Sequence, residues 1–182
     1  IIAALQAKKC DGIMSSMNST DERKKQVDFV DYLSVGQSLL IPTGSKDKIA
    51  SLDDLNGKTV AVEVGTTMKD ALDAFNKKTT GDKIIIKIYP DNGAAAAGVQ
   101  GGDVDAFLLD SPIAADYVNK QPDIFTLGGA PIDPANVGIA MRKSDTKLSA
   151  AVQKAVDDMY ADGSMGKILD KWKITDFKLE GK

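Results

Sequence analysis

The sequence predicts an α/β protein of two lobes joined by two crossing strands, and three observations lead there. Apolar, β-rich runs alternate with helical segments of about ten residues, the pattern of βαβ units around a mostly parallel sheet. Two further extended passages, Gln37–Ile41 and Val137–Met141, bracket one self-contained α/β segment. What lies outside, 1–36 and 142–182, is less than a domain at either end, so one lobe is expected to draw on both ends of the chain. The expected division is 1–36 with 142–182 as a partial first lobe, 37–41 and 137–141 as joining strands, and 42–136 as a second lobe.

The elements follow in order. "IIAALQAKK" reads as an amphipathic helix over 1–8, with Ile1, Ile2 and Leu5 on one face. It lacks an initiator Met, a cap residue and a signal-peptide n-region, so the chain is expected to be part of a longer protein. A strand at 10–15 should hold Cys10 as a buried structural thiol, and a polar turn follows it. Ser19 with Glu22 is a capping-box spacing, which places a short helix over "TDERKKQ" with Ser19 or Thr20 at its start. "VDFVDYLSVGQSLLIPTG" is extended, its strand Gln37–Ile41 stopped by Pro42 and Gly44.

"SLDDLNGKTVAVEVGTTMKDALDAFNKK" reads as a short helix, a turn at Asn56-Gly57, strand Thr59–Val64 and a helix from about Thr67. "KIIIKIYPD" is a strand with a proline stop, and "GAAAAGVQ" a helix broken by Gly101-Gly102. Strand Val104–Leu109 and a helix from about Ser111 come next, then mostly extended chain through "DIFTLGGAPIDPANVGIAMRK". Two helices, 146–161 and 164–172, close the chain with Gly163 between them.

Composition excludes several classes. With 43% hydrophobic residues, 182 residues suffice for one sizeable core or two small ones. A net charge of −3 with interspersed signs offers no basic field for nucleic acid. No apolar run approaches the roughly 20 residues of a membrane-spanning helix. With no histidine and one cysteine, neither a zinc site nor a histidine-activated nucleophile is expected, and no cofactor is called for.

Open α/β sheets bind ligands at the carboxyl ends of strands, where the N–H groups of the next helix point outward. Three such ends are legible. The first is "MSSMNSTDER", offering Ser15, Ser16, Asn18 and Arg23; the second is "VEVGTTM", with Glu63, Thr66 and Thr67; the third is "FLLDSP", with Asp110. Each has a plainer reading. Ser and Thr at helix starts are usually caps, and Asp110 fits that role as well. Arg23 could be one charge of a solvated run, and Glu63 could simply face water. As a set they are complementary. A guanidinium with helix-terminal N–H groups suits a carboxylate, and a carboxylate opposite suits an ammonium, so together they match a free α-amino acid.

Five separated blocks, "ALQAKKCDGIMSSMNSTDERKKQVDFVDYL", "LNGKTVAVEVGTT", "GDVDAFLLDSP", "VGIAMRKSD" and "ADGSMGKILDKW", occur in the order found in one family. The chain resembles the family-3 solute-binding proteins of ABC importers for polar amino acids. The resemblance implies a type II periplasmic-binding-protein fold, two α/β lobes joined by two hinge strands, with lobe 1 incomplete at its N-terminus. It implies that Arg23 binds the ligand α-carboxylate, that Ser16 and Asn18 assist, that Thr67 adds donors, and that Asp110 receives the α-ammonium. Asn18 departs from the Ser or Thr common at its position.

Implied partners are a small amino acid and membrane permease subunits, in the periplasm or on an extracellular lipoprotein. Glu63 favours a cationic ligand over glutamine or an acidic one. The apolar face around Ile1, Leu5, Ile13 and Val27 is expected to need cover from a second chain, as a domain-swapped or fragment-complemented dimer, or from residues outside this numbering. Two alternatives stand beside this reading: a dehydratase of the arogenate or prephenate type, which needs a general acid in the cleft, and the sensing domain of a receptor.

Overall fold

A computed structural model describes residues 1–172, 174–179 and 181. In chain order the elements are α1 (Ile2–Gln6), β1 (Ile13–Asn18), α2 (Asp21–Lys24) and β2 (Asp28–Pro42). Then come β3 (Thr59–Glu63), α3 (Thr67–Lys78), β4 (Ile85–Tyr89), α4 (Asn92–Gln100), β5 (Ala106–Asp110) and α5 (Ser111–Lys120). β6 (Phe125–Leu127), β7 (Ile132–Met141), α6 (Thr146–Ala161) and α7 (Ser164–Trp172) complete them. The chain divides into two compact units: unit 1 is Ile1–Val35 with Pro134–Lys182, and unit 2 is Gly36–Asp133. Both divisions fall inside strands, β2 and β7, a few residues before the positions expected.

Unit 2 is organised by the two-residue period of its strands. Leu39 and Ile41 of β2, Val60 and Val62 of β3, and Ala106 and Leu108 of β5 point to one face and meet Met68 and Leu72 of α3. Leu40, Ala61, Phe107 and Leu109 point to the other and meet Ala95, Ala96 and Val99 of α4 and Ala114 of α5. Each fully buried Leu, Val or Phe contributes about 1.5–3 kcal/mol, so both faces need their helices. β3 pairs in parallel with β4 and β5, while β2 runs antiparallel to β5 and β6. The sheet is therefore mixed where a mostly parallel one was expected, because the long β2 enters against β5.

In unit 1, β7 lies between β1 and β2, with β1 and β7 antiparallel. One face carries Val30, Tyr32, Val35 and Val137 against Val156 of α6 and Met165 and Leu169 of α7. The other carries Ile13, Met17 and Ala140 against Leu5 of α1 and Val27. The half-buried Arg142 ties this face together: its guanidinium donates to the carbonyls of Leu5 and Cys10 and pairs with Asp11 and Asp145.

Four local expectations are corrected here. Leu5, Ile13 and Val27 are buried within unit 1, so of the expected bare apolar face only Ile1, 74% exposed, remains open. The strand begins at Ile13, not residue 10, because the carbonyl of Cys10 is taken by Arg142; Cys10 lies half-buried outside it. That strand runs on through Ser15 and Ser16, where a turn was expected, by pairing Met17 and Asn18 with Gly138 and Val137. The expected helix at "SLDD" is a single 3-10 turn, Asp53–Leu55.

Two substitutions test the packing. Leu5→Ala, which empties a fully buried site in unit 1, should cost about 3 kcal/mol in urea unfolding. Gly129 has φ of +83°, and a Cβ there would lie 2.0 Å from the Ala50 carbonyl oxygen. Gly129→Ala should therefore destabilise unit 2 by about 3 kcal/mol, through strain and overpacking together.

Candidate functional site

Two groups of the expected residues form, one in each unit. In unit 1, β1 bulges against β7: the four steps from Ile13 to Met17 lie against the two from Ala140 to Gly138. The slack is taken up at Ser16, whose φ is +50°, a left-handed conformation that a residue with a Cβ rarely adopts. The Ser16 amide donates to the phenol oxygen of Tyr32 at 3.2 Å, and Ser16 Oγ lies 3.4 Å from the same oxygen. Thr20, not Ser19, caps α2 by accepting from the Arg23 amide at 3.3 Å; Ser19 instead bonds Asn136. The Arg23 guanidinium donates to the Asn18 carbonyl oxygen at 3.1 Å, which holds it beside the end of β1. Ser15 lies exposed in mid-strand.

In unit 2, Glu63, Thr66, Asn92 and Asp110 line a small cleft of about 20 Å³ that opens to solvent, with Phe107 and Ile113 also in its lining. It sits at the carboxyl ends of β3 and β5, where the sheet stops and the next helices begin. Gly65, at φ +76°, turns the chain from β3 into α3. Thr66 is at the start of α3 without a side-chain cap bond; its hydroxyl donates to the Glu63 carbonyl oxygen at 2.8 Å. Asp110 likewise stands at the start of α5 without capping it. Both therefore depart from the plainer reading as caps. Thr67 is the first residue of α3 and does not line the cleft.

The cleft is acidic. Burial first, and the charge of Asp91 second, raise the Glu63 carboxyl above its ordinary value. The hydroxyl of Tyr117, on α5, is raised by burial and then by Asp91. Asp91 caps α4 through a 2.8 Å bond from the Ala94 amide, which brings its charge to this end of the sheet. Ionised Glu63 thus lacks a compensating environment, and a site that disfavours its charge favours an arriving cation. Asn92 was not anticipated from the sequence. "IYPDN" is a fourth strand end, and the same strand-end rule applied to β4 would have found it. Among the described residues no cluster could hold a metal ion, and no helix is long and apolar enough to cross a membrane.

A strand-end cleft on an α/β sheet, with helices opening beside it, is the architecture of a small-ligand-binding protein. The chain belongs to the bacterial extracellular solute-binding proteins, family 3, matched over residues 1–175. Its fold is that of the type II periplasmic-binding proteins. An ancestral arginine-binding protein solved with arginine is similar at TM-score 0.85 and 35% identity, over 94% of this chain and 75% of that one. An ancestral amino-acid-binding protein described as a precursor of cyclohexadienyl dehydratase is similar at TM-score 0.82 and 36% identity, over 94% and 72%. The L-cystine-binding protein of Escherichia coli strain K12 is 30% identical over 173 residues. That match covers 94% of this chain, which spans 63% of the length of this relative.

The shifted carboxyl gives a pH test. Because folding raises the Glu63 pKa, the folded chain holds that proton more tightly than the unfolded one. Stability should then fall as pH rises from glutamate's ordinary 4.5 through the folded value. Glu63→Gln should flatten this part of the curve of melting temperature against pH.

Proposed function

We propose that the chain is the ligand-capturing part of an ABC importer's binding protein, taking a polar, cationic L-amino acid such as arginine or lysine and passing it to the permease. The observation that carries this reading is the acidic cleft of unit 2, on a chain whose family membership covers residues 1–175. Glu63 would face the cationic side chain and Asp110 the α-ammonium, with Thr66 and Thr67 adding donors from α3. In unit 1, Arg23 would take the α-carboxylate, with Ser15, Ser16 and Asn18 beside it. Closure about Gln37–Ile41 and Val137–Met141 would let one zwitterion engage both sets, and the ligand would stabilise the closed state by its contacts to each. The proposed location is periplasmic, or extracellular on a lipoprotein anchor, in keeping with the extracellular character of the family.

The dehydratase reading has one observation in its favour: burial raises the Glu63 carboxyl above its ordinary value, the direction that suits a group which protonates a leaving group. Capture without turnover accounts for the same carboxyl, as a recognition group, and needs no bond to break. Incubation with prephenate or arogenate should return the substrate unchanged, and product formation would decide for the enzyme.

Calorimetric titration with arginine, lysine, histidine, glutamine and glutamate tests the main reading, with cationic ligands expected to bind most tightly and glutamate least. Arg23→Ala should cost about 2–5 kcal/mol of that affinity, the loss expected when one partner of a desolvated charge pair is deleted. Affinity unchanged in this variant would show Arg23 to be surface charge.

A further inference from the structure

Tyr32 enters no part of the ligand reading above, yet it is the side chain that meets the strained Ser16. Its ring is 8% exposed, packed with Val30, Val35, Val156 and Leu169. Its own carbonyl accepts the Tyr160 hydroxyl at 2.7 Å, and the Tyr160 oxygen accepts the Leu179 amide at 3.2 Å. Core packing therefore holds the ring, while the relay from Leu179 through Tyr160 fixes the backbone of Tyr32 and not its phenol oxygen. An edge strand could pass Ser16 in extended backbone at no cost, with its amide paired to β7 or to water. Instead the bulge turns the residue left-handed and hands its amide to this phenol.

We propose that Tyr32 is a positioning residue for the anion-binding end of β1. The inference rests on the reading that this end receives an anionic ligand group. The Tyr32 oxygen accepts the Ser16 N–H, and Ser16 Oγ lies 3.4 Å from it, where either hydroxyl could donate; in the proposed arrangement the phenol donates to Ser16 Oγ. A serine hydroxyl that accepts there has its own proton free to point away from the core. A carboxylate only accepts hydrogen bonds, so a hydroxyl committed to donating is matched to it before it arrives. Pre-setting the rotor lowers the ordering cost of binding, and fixing φ at Ser16 sets where that rotor stands. The strain is thus kept at the point of contact by a group that never touches the ligand.

Tyr32→Phe tests this, since it keeps the buried ring and removes only the hydroxyl. In the 182-residue chain, arginine affinity should fall about tenfold, the effect of weakening one hydrogen bond to a charged group. Hydrogen exchange at the Ser16 amide should accelerate in the absence of ligand. Tyr160→Phe removes a hydroxyl from the same cluster and should change affinity less than Tyr32→Phe does. Ser16→Ala should lose a comparable amount, and combining it with Tyr32→Phe should add little, because both act through one hydroxyl. Wild-type affinity in Tyr32→Phe, fully additive losses, or an equal loss in Tyr160→Phe would overturn the positioning role while leaving the ligand reading intact. Failure of the unaltered chain to bind any of the five amino acids would overturn the ligand reading, and this inference with it.

Discussion

The constraint on which unit 2 depends is that β5 is apolar on both faces. Ala106 and Leu108 serve one core cluster, Phe107 and Leu109 the other, and all four are buried. A strand of that kind cannot lie at a surface, so helices must cover it on each side and its neighbours must also be apolar on both faces. β2 and β3 are, and α3, α4 and α5 supply the cover. The only place left for polarity is where the strand stops. Asp110 is there, and the cleft it shares with Glu63, Thr66 and Asn92 follows from the same geometry. Polar side chains thus gather at this edge of the core, while the buried Ser38 and Ser111 satisfy one another by hydrogen bonding.

Unit 1 solves a different problem. Its sheet holds a bulged strand, β1, with two more residues than its partner needs between Ile13 and Met17. The surplus could have been a disordered swelling. It is disciplined at one end by Arg142, which gathers the carbonyls of Leu5 and Cys10, and at the other by Tyr32 and the bond from Arg23 to Asn18. Each of these ties joins residues far apart in the chain or closes a single turn. The polar residues Ser15, Ser16 and Asn18 therefore ride on a strand whose shape is imposed from elsewhere.

The acidity of the unit 2 cleft comes from two carboxyl groups, Glu63 and Asp91. Asp91 is committed to capping α4, and its charge then acts on Glu63 as a fixed background. On the proposed reading, two carboxylates at the end of one sheet would discriminate by repulsion as well as attraction, since an anionic side chain brought there would meet like charge. On that reading helix capping and ligand preference would be coupled through Asp91, which both caps α4 and raises the Glu63 carboxyl.

The sequence by itself determined the elements whose signals are local. The helices Thr146–Ala161 and Ser164–Trp172 lie where their periodicity and Gly163 place them, and β3, α3, β4, α4, β5 and α5 fall within a few residues of their expected bounds. Their apolar spacing and stop residues are complete within ten or fifteen positions. The strand-end rule likewise marked Glu63, Thr66 and Asp110, all found together on the cleft. Tertiary structure alone decided the burial of Leu5, Ile13 and Val27, the run of β1 through the expected turn, the antiparallel entry of β2, and the contact of Tyr32 with Ser16. Those outcomes depend on partners as distant as Arg142 from Cys10, or Gly138 from Met17. No local pattern encodes such a pairing, because its energy exists only once the two segments have met.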